Sequence, residues 1–65
     1  MSSDIDDIVD SAREIVQNDY IKNKLPHLTD VLTKLIKKYD DSSLVGAEQY
    51  TLINLTVLIV DKENL

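Results

Sequence analysis

The sequence predicts an all-α protein: a three-helix bundle, or a helical hairpin followed by a long apolar third helix, in either case dimeric. Three observations carry this reading. Apolar residues recur at steps of three and four through the first two thirds of the chain, the spacing of one helical face. Pro26 and Gly46 are the only residues of their kinds, too few to build the turns of a β-sandwich or barrel. The 65 residues include no cysteine, so one small domain must be held by helix packing, by association or by both, rather than by disulfides or a thiolate metal site.

The first helix is expected over residues 4–24. Ile5, Ile8, Val9, Ala12, Ile15, Val16 and Tyr20 form its apolar stripe, and Asp6, Asp7, Arg13, Glu14 and Gln17 lie away from it. Ser2 or Ser3 can cap its start, because a short oxygen side chain accepts an unpaired backbone N–H. Asp4, Asp6 and Asp7 then face the positive end of the helix dipole, and Lys22 and Lys24 lie near the negative end.

Pro26 ends that helix, since it disfavours helical geometry at Leu25, and it suits the first turn of the next. The second helix is expected over residues 26–39. Leu28, Val31, Leu32, Leu35, Ile36 and Tyr39 form its stripe, and Lys34, Lys37 and Lys38 fall in its last turns. Asp40, Asp41, Ser42 and Ser43 make the next break, because their side chains compete for nearby backbone groups.

The third segment, residues 44–61, contains LVGAEQYTLINLTVLIV. Tyr50, Thr51, Ile53, Thr56, Val57, Ile59 and Val60 favour strand by propensity. Strict alternation fails, however, where Leu52 adjoins Ile53 and where residues 57–60 are all apolar, and length favours a helix. Val45, Gln49, Leu52, Thr56 and Ile59 then share one side, with Tyr50, Ile53, Val57 and Val60 on another. Residues 62–65 are expected to fray.

Two amphipathic helices can cover only about half of such a segment. Each large aliphatic left in water forgoes about 1.5–3 kcal/mol of burial, and three or four would rival the ~5 kcal/mol stability of a small domain. Pairing with a second copy removes the deficit. The expected interface residues are Tyr50, Ile53, Leu55, Val57, Leu58 and Val60.

The net charge of −5, from 12 acidic and 7 basic side chains, disfavours direct contact with nucleic acid or anionic membrane. No apolar run reaches the ~20 residues of a membrane span, and the acidic first residues do not resemble a secretory signal. The expectation is a cytoplasmic protein. Asp4, Asp6, Asp7 and Asp10 form an acidic cluster that offers a second surface, for a basic protein partner.

No catalytic, cofactor-binding or metal set can be assembled. His27 and Asp30 share a helical turn, but there is no second histidine and no cysteine to complete a metal site. The expectation is a non-enzyme that acts by binding protein, as a regulator, inhibitor or adaptor. Asp41, Ser42, Ser43 and Leu44 resemble the Asp-Ser-Leu attachment site of acyl carrier proteins, with an extra serine interposed and a helix where carriers have a long loop. That resemblance implies an alternative, a carrier domain holding phosphopantetheine on Ser42 or Ser43.

Overall fold

The computed structural model describes residues 4–65, all but the Asp4 side chain; Ser2 and Ser3, the expected caps, lie outside the described residues. It contains four α-helices: α1 (Asp4–Val16), α2 (Asp19–Lys24), α3 (Pro26–Asp41) and α4 (Gly46–Glu63). The all-α class stands as expected. The count differs, because the expected single helix over residues 4–24 is two.

Asn18 makes that division. Its backbone is extended, and its side-chain oxygen accepts the Ile21 N–H at 3.1 Å, which caps α2 and stops α1 from continuing. The turn also changes which side chain points inward. Tyr20, expected on the apolar stripe, is exposed, and Ile21 fills the core in its place. Leu25 then closes α2 through its N–H to the Ile21 carbonyl, and Pro26 opens α3.

The core is one cluster: Val9, Ala12 and Ile15 from α1, Ile21 from α2, Leu32 and Ile36 from α3, Leu44 from the connection, and Leu52 and Ile59 from α4. α1 packs against both α3 and α4, which also touch each other. α3 runs two residues beyond its expected end, and its inward face carries Thr29 beside Leu32 and Ile36, while Val31 is exposed. Thr29 is tolerated because its hydroxyl donates to the Leu25 and Pro26 carbonyls, at 3.0 and 3.1 Å.

α4 settles the choice between helix and strand in favour of helix. Its inward line is Leu52, Thr56 and Ile59, all buried. The buried Thr56 differs from Thr29: its hydroxyl oxygen has no hydrogen-bond partner among the described residues. Ser42 and Ser43 do not begin this helix. Ser42 closes α3, Leu44 is anchored in the core, and Val45 occupies the cap position. Valine offers no acceptor; Glu48 instead reaches back to take the Val45 N–H at 3.0 Å. The far end does not fray. Asn64 adopts left-handed geometry (φ 56°), its N–H donates to the Asp61 carbonyl, and the Leu65 N–H donates to the Val60 carbonyl at 3.0 Å. This is a Schellman closure, with Asn in the place glycine usually takes.

Ion pairs and hydrogen bonds stitch the rim. Arg13 grips Asp40 with both terminal nitrogens, at 2.6 and 3.0 Å, and the Tyr39 hydroxyl donates to Asp6, so α1 is tied twice to the end of α3. Lys38 meets Glu48 at 2.6 Å across the α3–α4 connection, and Lys24 meets Glu63 at 3.1 Å, joining α2 to the end of α4.

Candidate interaction surface

The six residues expected at an interface divide into two groups. Leu55 and Val60 are half-buried and pack against the chain's own core. Tyr50, Val57 and Leu58 point outward, with 72, 50 and 52% of their surface exposed. Ile53 is half-buried but lies outside the core cluster. The helix places Tyr50, Ile53, Val57 and Leu58 together because steps of three and four share a face. Leu52, Thr56 and Ile59 share the opposite side for the same reason.

The outward face is neutral through its middle. Asn54 is exposed between Tyr50 and Val57, and Ala47 extends the line toward the start of α4. At the other end stands Asp61, also exposed, with no side-chain hydrogen bond or ion pair among the described residues.

The expected acidic surface is less uniform than its sequence. Asp6 accepts the Tyr39 hydroxyl and so turns toward α3. Asp10 lies close enough to Arg13 to help raise the guanidinium pKa, after the larger effect of the Asp40 hydrogen bonds. Asp7 is exposed. The Asp4 side chain lies outside the described residues. Asp6, Asp7 and Asp10 are all exposed, and Asp6 alone of them is held by a hydrogen bond from α3.

The groups considered for chemistry are dispersed. His27 is exposed in the first turn of α3, and Asp30 pairs with Lys34 at 3.2 Å rather than with the imidazole. A groove of about 410 Å³ opens between α1 and the end of α4, with Ser11, Glu14 and Asn18 on one side and Val60 and Leu65 on the other. No histidine, lysine or cysteine lines it, and the Asn18 side-chain oxygen is already engaged as a cap. Among the described residues no group of three or more His, Asp or Glu side chains is placed to hold a metal ion. No described helix is long and apolar enough to cross a membrane.

No protein-family model matches the chain, and no curated protein and no solved structure matches it. The sequence carries one signal for the outward face that propensity and stripe-reading pass over. Ala47, Tyr50, Asn54, Val57 and Asp61 repeat at steps of three, four, three and four, and all five are exposed. The apolar excess of the segment hides this order, because the inward residues interleave with it.

Proposed function

We propose that this is a non-enzymatic association module that works as a homodimer through α4 and acts on other proteins as a regulator, inhibitor or adaptor. The observation that carries the reading is the exposure of Tyr50, Val57 and Leu58 on one face of a helix whose other face is already spent in the core. A tyrosine with a large apolar ring and a polar tip is the side chain that association surfaces use most readily. Contiguous exposed apolar side chains mark contact sites more often than accident. A cytoplasmic place of action belongs to the same proposal and is supported by a chain without cysteine. The acidic turn around Asp7 and Asp10 remains a secondary surface for a basic partner. Neither Ser42 nor Ser43 begins α4, so nothing in the fold favours the carrier reading over this one.

Sedimentation across a dilution series tests the proposal. The expected result is a dimer that dissociates on dilution with its helicity retained. Val57→Asp should abolish association and leave helicity intact, because the side chain sits on the outward face. A monomer at every concentration, with native helicity, refutes the homodimer.

A further inference from the structure

The exposed line Ala47, Tyr50, Asn54, Val57 and Asp61 has the 3–4–3–4 spacing of the seam along which two helices pack with knobs in holes. Leu52 and Ile59, seven residues apart, occupy the opposite side and are buried in the chain's own core. α4 therefore has a complete second packing seam. We infer that this seam takes α4 of a second copy in antiparallel orientation, with Ala47 against Val57 of the second copy and Tyr50 against its Asn54. The inference rests on the homodimer reading and adds its geometry.

Size and charge both select that orientation. In antiparallel register each large side chain meets a smaller one, and the Tyr50 hydroxyl and the Asn54 amide can bond each other in the shielded centre. In parallel register Tyr50 would meet Tyr50, and Asp61 would meet Asp61, two like charges on one seam.

Asp61 supplies the sharper argument. It stands in the last turn of α4, where the negative end of its own helix dipole disfavours an acid. No described side chain compensates it. Antiparallel pairing carries Asp61 just past the start of α4 in the second copy, a positive end. The first-turn N–H groups of Gly46 and Ala47 have no intrahelical acceptor there, and Val45 has no side-chain oxygen to supply one. Gly46 leaves the approach open: a Cβ at this position would meet nothing within 4 Å. An acid misplaced in the subunit becomes the missing cap in the pair, and two-fold symmetry supplies it twice.

The absence of cysteine makes orientation directly readable. Ala47→Cys and Val57→Cys variants, one of them isotope-labelled, are equilibrated alone and mixed in a glutathione redox buffer and weighed intact. A disulfide needs Cα atoms within about 7 Å, and in the antiparallel pair each new cysteine lies about 15 Å along the helix from its own copy. The expected product is the mixed disulfide, formed only in the mixture. Disulfides formed by each variant alone would overturn the antiparallel orientation and leave the homodimer standing. So would an absence of all cross-links while the unmodified protein sediments as a dimer. An unmodified protein that is monomeric throughout would overturn the homodimer itself, and this inference with it. Asp61→Asn gives an independent readout. It relieves α4's own dipole, so helicity holds or rises, yet it should weaken association by about three- to thirty-fold from two lost caps. Unchanged association would remove the charge argument.

Discussion

Two buried threonines give this fold an internal test of its packing. Thr56 and Thr29 are both almost wholly enclosed, at 1 and 5% exposure. The Thr29 hydroxyl is satisfied by two carbonyls, and the Thr56 hydroxyl by none among the described residues. Valine has nearly the same shape and the same β-branching, so Thr→Val removes the hydroxyl with little change in helix propensity. At Thr56 the change removes a buried, unbonded polar group, whose desolvation costs about 1–3 kcal/mol. The expected outcome is a gain of about 1–2 kcal/mol, or roughly 4–8 °C in Tm for each kcal/mol in a domain of this size. At Thr29 the change discards real hydrogen bonds and should cost about 0.5–1.5 kcal/mol. The lower half of that range is expected, because the Leu25 carbonyl also accepts the Thr29 N–H and is not orphaned. Urea unfolding followed by circular dichroism measures both, at one protein concentration so that association does not shift the midpoints. Opposite signs at the two sites are the expected result. If Thr56→Val destabilises as much as Thr29→Val, the Thr56 hydroxyl is bonded in solution, to the Leu52 carbonyl one turn back or to a trapped water, and the argument fails.

The rim contacts predict the shape of the pH profile. The hydrogen bonds from Arg13 hold the Asp40 carboxyl below its ordinary pKa, and Lys38, then the Val45 N–H, do the same for Glu48. Their folded-state values lie below the unfolded ones, so their stabilisation is complete above the ordinary carboxylate range and drains away as pH falls through the depressed values. Glu63, then Tyr20, raise the Lys24 pKa, so its contribution is complete below the ordinary lysine range and is lost as pH climbs through the raised value. Urea midpoints across pH should fall on both sides, and Arg13→Gln should flatten the acid limb; an unchanged acid limb would show that the Arg13–Asp40 pair does not persist in solution. Asn18→Ala should cost about 1 kcal/mol through loss of the α2 cap. Amide exchange at Ile21 should accelerate with it, and unaltered protection would place the helix break elsewhere.

Much of the fold was legible in the residues, and the misses have separate causes. Pro26, the lysines closing α3 and the apolar steps of α1 and α3 act locally, so local reading finds them. Asn18 is equally local, a short amide followed by Asp19, yet the apolar stripe runs past it to Tyr20 and masks it. The cap competes with the stripe and wins, since ending α1 there delivers Ile21 to the core. Ser42 and Ser43 fall in the break as expected, but the start of α4 is set by a tertiary demand. Leu44 must reach the core before α4 begins, which moves the helix start to Gly46 and passes the capping role to Glu48. The closure at Asn64 depends on a single left-handed residue, which no periodicity reports. At the surface, the six candidate residues could not be sorted from sequence, because the direction of the core seam decides which of them face out.

That sorting explains why α4 combines strand-favouring residues with a blurred helical period. A helix with one partner shows one stripe and a polar back. α4 carries Leu52, Thr56 and Ile59 inward and Ala47, Tyr50 and Val57 outward, so its apolar residues surround the axis and its periodicity is blurred. β-branched side chains stand on both sides, Thr56 and Ile59 inward and Ile53 and Val57 outward. Threonine and valine are modest helix formers, weaker than the alanine, leucine or glutamate a solvated back would have carried. A surface under no constraint but solubility would take those stronger formers and more charge. Instead the middle of the outward face holds a tyrosine, an asparagine, a valine and a leucine, with its acid displaced to the end where its own helix resists it. Each choice costs the isolated subunit something, in propensity, exposed apolar area or dipole energy. The proposed antiparallel contact would offset the last two at once, sheltering the apolar area and putting Asp61 at a positive helix end, and would give Asn54 a partner.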